Sequence, residues 1–423
     1  MNISIIGTGY VGLVSGVCFA SLGHNIICVD VDKEKVDKIN QGFSPIYEEG
    51  LGHLLTVHKD KIKATDDYSY AIKQSDITFI CVGTPSKKDG DIDLSFVKES
   101  TIEIGKQLKQ KDRWHLVVMK STVIPGTTSD FVLPLLEKFS FKKAGEDFGV
   151  GMNPEFLREG VAVNDFLNPD RIVIGFIDKK SNKILRELYN GFSCPIVETT
   201  LSTAEMIKYA SNCFLATKIS FINEIGNFCK KLGIDTYEVA NGMGLDNRIE
   251  RKFLNAGIGW GGSCFGKDAR ALRAWAKKEK LPIDIIDSAI QINDKQPLQL
   301  IKILKKHIPT LKNKTIAVLG LAFKPDTDDI RDTRAKPIID GLIKEKAIIK
   351  AYDPQASENF KKIYPTIKYC KTAKETIKDA DAVLLTTDWD EFNTLDFSGK
   401  IVIDGRRLKN ARKTARIYEG VCW

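Results

Sequence analysis

The first thirty residues repeat a simple alternation. An apolar run, "ISIIG", gives way to a glycine turn, then to a stretch with apolar residues at helical spacing, then to a second apolar run ending at Asp30. Short apolar runs bounded by turn residues, with helix-period segments between them, predict parallel strands separated by helices, here strand, turn, amphipathic helix and strand. The pattern continues through "DITFICVGTP" and "HLVVMKSTV", whose small polar ends place Thr84 and Thr122 at strand C-termini. From about 199 to 231 no proline interrupts apolar residues at helical spacing, which predicts one long helix, a spine between domains and a candidate subunit interface. Around 315 the strand alternation returns in "KTIAVLGLAFKPDTDD", "AIIKAYDP", "DAVLLTTDW" and "KIVIDGRR", a coarse repeat of the first region.

The two regions differ in their first turn. The N-terminal one carries Gly7-x-Gly9-x-x-Gly12 between strand and helix, with an acidic residue at the end of the next strand. Glycines there permit a tight turn and let a pyrophosphate approach the backbone N–H groups at the helix N-terminus. Asp30 is placed to accept hydrogen bonds from an adenosine ribose, and with Asp32 it would repel a 2′-phosphate, so NAD is expected over NADP. The later turn reads Gly-Leu-Ala-Phe-Lys and lacks this fingerprint. Its strand ends carry Lys324, Arg331 and Arg406, cations suited to a phosphate-bearing ligand. The expected fold class is α/β, with two Rossmann-like doubly wound domains joined by a central long-helix region.

Composition fits a globular chain of more than one domain: 423 residues are 43% hydrophobic. The net charge of +8 comes from dispersed lysines without a polybasic block, which favours anionic small molecules over nucleic acid. Nine cysteines without C-x-x-C spacing and five scattered histidines argue against a metal site. Cys18, Cys28 and Cys81 lie in hydrophobic runs and are expected to be buried. With neither a signal-like leader nor a membrane-length apolar stretch, the expected compartment is a reducing cytoplasm.

Three stretches carry candidate chemistry. In "GMNPEFLREGVAVNDF", Glu155 and Glu159 would share one face if a helix starts there. On the long helix Lys208 and Asn212 are also one turn apart, an ammonium and an amide able to point at one spot. In "GIGWGGSCFGKDAR", glycines surround Cys264, with Lys267 and Asp268 behind it. A thiol without bulky neighbours is open to a substrate, and an adjacent lysine favours the nucleophilic thiolate. Together with NAD, such a cysteine points to oxidation of an aldehyde through a thioester.

The ordered blocks "GTGYVGLVSG", "STVIPGTT", "NPEFLREG", "AEMIKYASN", "GIGWGGSCFGKD", "LAFKPDTDDIR" and "DGRR" resemble the nucleotide-sugar 6-dehydrogenases, over essentially the whole chain. The resemblance implies an NAD-binding Rossmann domain over 1–196, a central helical dimerisation region over 197–300 and a C-terminal UDP-sugar-binding domain over 301–423. It implies oxidation of the sugar C6 alcohol to a carboxylate with two NAD+ and one water, by a homodimer or higher homo-oligomer. Cys264 would capture the C6 aldehyde. Lys208 and Asn212 would stabilise charge on the C6 oxygen, Asp268 would orient or activate water, Glu155 would be the base for thioester hydrolysis, and Thr122 would hold a water. The cofactor would meet Gly7, Gly9, Tyr10, Val11, Gly12, Asp30, Lys35, Thr84, Thr122, Glu159, Lys267 and Arg331. The substrate would meet Glu155, Phe156, Leu157, Lys208, Asn212, Phe253, Gly261, Lys324 and Arg406, with Arg248 reaching a neighbouring subunit's substrate. No metal is implied.

Ser263 favours UDP-glucose as substrate, because relatives acting on UDP-N-acetylhexosamines typically carry "GGHC" there, whereas the GDP-mannose enzyme shares the serine. Two readings of other kinds compete: a two-electron hydroxy-acid dehydrogenase, which needs no thiol, and a catalytically silent nucleotide-sugar sensor. For the first C6 proton, Lys208, Asp268 and a water all stand as acceptors.

Overall fold

The computed structural model describes all 423 residues, which divide into two compact units, Met1–Ser211 and Asn212–Trp423. The first is built on eight strands: β1 (Asn2–Ile6), β2 (Asn25–Val29), β3 (Ile62–Thr65), β4 (Ile77–Ile80), β5 (Leu116–Met119), β6 (Gly149–Met152), β7 (Ile172–Phe176) and β8 (Ile196–Thr199). Their order is β3-β2-β1-β4-β5-β6-β7-β8, all pairs parallel except β6 with β7. The order reverses between β1 and β4, and ligands of open parallel sheets bind at such a switch point, beyond the strand C-termini.

Ile3, Ile5 and Ile6 of β1 are all buried, as a strand covered on both faces requires. The helix Tyr10–Ser21 departs from the expected amphipathic pattern, since every position from Gly12 to Ala20 is buried. One side meets the sheet, and helices Leu51–Val57 and Ala162–Leu167 cover another. A helix enclosed in this way has no polar face to display.

The second unit holds β9 (Thr315–Leu319), β10 (Ile348–Tyr352), β11 (Lys368–Tyr369), β12 (Ala382–Leu385), β13 (Ile401–Asp404) and β14 (Ile417–Gly420). They form one parallel sheet in the order β11-β10-β9-β12-β13-β14, with the reversal between β9 and β12. The expected internal repeat is therefore a repeat of strand order. The predicted long helix runs from Leu201 to Leu232. Ile222 on this helix and Ala240, Leu254 and Ile258 beyond it pack into the same apolar core as Val318, Ile339 and Leu384, so the stretch before β9 shares the core of the second sheet.

Candidate active site

In the first unit, the turn after β1 is shaped by its glycines. Gly7 has φ +93°, and a Cβ on Gly12 would collide with the Gly7 carbonyl oxygen, so neither position admits another residue without distortion. A Cβ on Gly9 would meet nothing, so this glycine is not demanded by the protein's own packing and leaves the backbone open to a ligand. Gly9 is also the N-cap of the helix Tyr10–Ser21, without a capping side chain or an acidic residue in the first turn, which suits an anion. Asp30 follows β2 and accepts hydrogen bonds from the amide and hydroxyl of Thr8 at 2.8 and 2.6 Å. Burial pushes its carboxyl up, but bonds from Thr8 and the Asp32 amide outweigh this, so the group ends below the usual carboxylate range, with the Lys35 charge adding to the effect. These residues fit a dinucleotide.

Thr84 and Thr122 are brought together past β4 and β5, where the Thr84 hydroxyl donates to the Thr122 carbonyl at 3.0 Å. Tyr10 sends its hydroxyl to Glu48, whose carboxylate also accepts the amides of Gly160 and Ala162 at 2.7 and 2.6 Å. Val11 sits beside Tyr10 at the head of the same helix.

Glu155 and Glu159 do not lie on a helix. Residues 153–158 are irregular, and the nearest helix, Ala162–Leu167, begins only after both. Pro154 leaves no N–H to build on, and the Glu155 carboxylate is already engaged, taking the Leu157 amide at 2.6 Å and the Lys208 ammonium at 3.0 Å. The Glu155–Lys208 pair is nearly fully buried, at 6% and 4% side-chain exposure, and losing one partner of such a pair costs roughly 3–5 kcal/mol. Phe156 has two cations over its ring, with the Arg171 guanidinium 3.5 Å and the Lys208 ammonium 5.3 Å from its centre. Half-buried Glu159 lies close enough to Tyr10 for its charge to oppose ionisation of the phenol.

In the second unit, Cys264 is the N-cap of the helix Phe265–Lys278 and is partly exposed. Helix N-termini favour a thiolate, a local signal beyond the neighbouring lysine. Lys267 directs its ammonium to Asp268. Asp268 is 1% exposed and also accepts the Asn212 amide at 2.7 Å, so an amide, a carboxylate and an ammonium stand in line one turn behind the sulfur.

The glycines around Cys264 do more than clear space. A Cβ on Gly261 would strike the Asp332 carbonyl oxygen, one on Gly262 the Phe323 ring, and one on Gly266 the Asp332 carboxylate. The Gly262 amide donates to the Arg331 carbonyl at 3.0 Å. The cysteine loop is thus seated on the loop after β9, which carries Lys324 and Arg331. Arg406, just after β13, donates to the carbonyls of Thr386 and Phe323 at 2.9 and 3.3 Å, so the loops of β9, β12 and β13 meet at this sheet's own switch point. Arg331 pairs with Asp329, and Lys324 lies 5.8 Å from the Phe323 ring centre. Phe253 adopts φ +65° with its ring packed edge-on against Phe265. Arg248 is 85% exposed and bound to Asp246.

Several buried charged residues escaped the sequence reading, among them Glu48, Glu205 and Lys120. Glu48 lies in "PIYEEG", a run without a helix or strand pattern. Glu205 accepts the Gly126 and Thr128 amides and the Thr128 hydroxyl at 2.6–2.8 Å, and burial pushes its carboxyl up to about 7. Lys120, in "VVMKSTV", is 3% exposed, and burial pushes its ammonium down to about 8. A lysine directly after four apolar strand residues was the one available sign, since such a position is buried in a parallel sheet.

Models of three parts of the UDP-glucose/GDP-mannose dehydrogenase family match the chain in order: the NAD binding domain over residues 1–193, the central domain over 202–295 and the UDP binding domain over 317–411. The chain is 45% identical over 424 residues to the UDP-glucose 6-dehydrogenase AglM of Haloferax volcanii, with 98% of each covered. It is 39% identical to the solved UDP-glucose dehydrogenase of Pyrobaculum islandicum, with a TM-score of 0.96 over 100% of this chain and 98% of that one. The GDP-mannose dehydrogenase of Pseudomonas aeruginosa is 37% identical, with a TM-score of 0.59 and both chains fully covered. NAD is the cofactor to which the glycine turn and Asp30 are suited. By its three matched parts and its full-length relatives, the chain belongs to the UDP-glucose/GDP-mannose dehydrogenase family.

Proposed function

We propose that this chain oxidises UDP-glucose at C6 to UDP-glucuronate, a polysaccharide precursor, through a thiohemiacetal and a thioester on Cys264. The observation that carries the reading is the partly exposed thiol at a helix N-terminus, backed by Asp268 and Asn212, while seven of the other eight cysteines are buried. UDP-glucose is preferred because the relative at 45% identity and the structure at TM-score 0.96 both carry that substrate in their names. GDP-mannose is the alternative.

When bound, NAD supplies the hydride acceptor for both oxidations. Gly7, Gly9, Gly12 and Asp30 would hold it, with Tyr10, Val11, Lys35, Thr84, Thr122, Glu159, Lys267 and Arg331 as further contacts. Lys208 and Asn212 stabilise the negative charge that develops on the C6 oxygen, as preorganised donors in a dry site do. Lys208, Asp268 or a water takes the first hydroxyl proton. The Cys264 thiolate adds to the aldehyde carbon, and the carbonyl oxygen gains a proton. After the second oxidation the same sulfur carries the acyl group. Glu155 then takes a proton from the attacking water, placed by Thr122 and Asp268, and the thiolate leaves. One alcohol and one water yield a carboxylate, two hydrides and three protons.

Phe156, Leu157, Phe253, Gly261, Lys324 and Arg406 complete the substrate contacts in this reading. The division 1–196, 197–300 and 301–423 is supported by the three matched family models. A homodimer is supported by Phe214, Phe221 and Phe228, seven residues apart on the long helix and 65%, 44% and 64% exposed, with exposed Arg248 available to a neighbouring copy. The unpaired cysteines support a cytoplasmic setting, and no helix is long and apolar enough to cross a membrane.

The test is NADH formed per sugar consumed, for UDP-glucose, GDP-mannose and UDP-N-acetylglucosamine, with Cys264→Ser beside the wild type. Two NADH from UDP-glucose, with full turnover lost in the variant, is the expected result. One NADH, or an unaffected variant, would overturn the thioester route.

A further inference from the structure

We infer that Lys120 is a positioning residue, setting both the direction of Glu155 and the positive charge that acts on it. Lys120 follows β5 directly, and its ammonium donates to the Asn153 side-chain oxygen at 2.9 Å and reaches the Asn153 carbonyl at 3.5 Å. Asn153 is held from every side: its amide donates to the Met119 carbonyl at 2.9 Å, its side-chain NH2 to the Val173 carbonyl at 2.9 Å, and its side-chain oxygen also accepts the Tyr189 hydroxyl at 2.5 Å. Pro154 then permits little freedom before Glu155. The grip on Asn153 therefore fixes where Glu155 starts, and the Leu157 amide and Lys208 fix where its carboxylate ends.

A buried ammonium held mainly by a neutral amide is a costly way to anchor a turn, because an apolar side chain of equal size avoids its desolvation. Charge is what a lysine adds. The charged and titratable groups whose fields reach Lys120 are Glu155 after β6, Lys208 on the long helix and the Cys81 thiol after β4, with Tyr189 bonded to the same Asn153 oxygen. Glu155 is the one carboxylate among them. Two cations thus act on it, Lys208 by direct contact and Lys120 from behind the turn. Lys208 also has a role at the C6 oxygen in the proposed reaction, and Lys120 keeps a cation acting on Glu155 when Lys208 turns to the substrate. A small cleft of about 50 Å³ borders Lys120, Glu155, Phe156 and Leu157, which places this cluster at the wall of a cavity.

The inference rests on Glu155 being the base for thioester hydrolysis. The test uses Lys120→Gln, which keeps a donor to Asn153 without the charge, and Lys120→Arg, which keeps the charge, each alone and with Glu155→Gln. Lys120→Gln is expected to lower kcat about tenfold and to move the acid limb of the kcat–pH profile up by about one pH unit, with KM for NAD within about twofold of wild type. Lys120→Arg should keep the wild-type limb. Combined with Glu155→Gln, Lys120→Gln should add less than about twofold to the loss. An unshifted limb in Lys120→Gln, or losses that multiply in the double variant, would assign Lys120 a purely structural role. Full turnover in Glu155→Gln would overturn the assignment of Glu155 and this inference together, whereas a slow Glu155→Gln with an unshifted Lys120→Gln limb would overturn this inference alone.

Discussion

The turns after β1 and β9 begin alike and end differently. Gly7 and Gly320 both have positive φ, +93° and +98°, and both donate their amides to the strand beside them, at Val29 and Tyr352. Each turn is also gripped by a carboxylate from the next strand end. Asp30 takes the Thr8 amide and hydroxyl, and Asp353 takes the Leu321 and Ala322 amides at 2.7 and 3.0 Å. From there they diverge. The first turn enters a helix at Tyr10, whereas the second runs on as a loop through Lys324 and Arg331 until a helix starts at Ala335. Asp353 spends its remaining capacity on the Trp389 indole and the amides of Gln355 and Ala356, and is 2% exposed. Asp30 is less enclosed, and its second oxygen takes only the Asp32 amide. One scaffold thus offers backbone N–H groups and an available carboxylate in one unit, and cationic side chains on a long loop in the other.

That contrast can be broken most severely at Gly12. A Gly12→Ala variant should lose NAD affinity by at least about a hundredfold, measured by NADH fluorescence titration, because the new Cβ meets the Gly7 carbonyl. Position 325 of the other turn is already proline, so no equivalent glycine exists there to protect.

The strand ends supply the next test. Lys120 follows β5 and Asp404 ends β13, so each sheet buries one charge at corresponding places, of opposite sign. The ammonium has a folded value near 8, against about 10.4 unfolded, so the neutral form is the one folding favours. Its stabilising contribution is present above about 10.4 and is lost as pH falls through 8. Relative to Lys120→Met, the wild type should therefore gain about 3 kcal/mol between pH 8 and 10.4, read from urea midpoints. A flat difference would show that the ammonium is better solvated than its burial indicates.

Asp353 and Asp30 should separate stability from cofactor choice. Asp353→Ala is expected to cost roughly 2–3 kcal/mol by stranding buried amides, with the NAD-to-NADP ratio of kcat/KM unchanged. Asp30→Asn should change that ratio about tenfold toward NADP, with a smaller fall in melting temperature. If both variants behave alike, the two carboxylates are equivalent braces and the proposed ribose contact fails.

The strand and glycine patterns were legible because buried parallel strands and tight turns leave local marks, as in "ISIIGTGYVG" and "KTIAVLG". The helix Tyr10–Ser21 was misjudged as amphipathic because the coverage that buries it comes from residues 51–57 and 162–167. Glu155 and Glu159 were given helical spacing, but a partner 53 positions away, Lys208, holds the first in an irregular turn. The glycines near Cys264 leave the thiol open, and a second cause for them, the close approach of Phe323 and Asp332, leaves no local mark. Lys120, Glu48 and Glu205 went unseen for the same reason. Each is buried by partners distant in the chain, and no local period records them.

Glu48 binds the Tyr10 hydroxyl and the Gly160 and Ala162 amides with one nearly buried carboxylate. None of these bonds can be released singly without leaving part of a buried anion uncompensated, so the head of the first helix and the 160–162 loop should open together. Amide exchange at Gly160 and Ala162 would then slow when dinucleotide binds at the helix head, and breathing of the 160–162 loop would become a function of cofactor concentration.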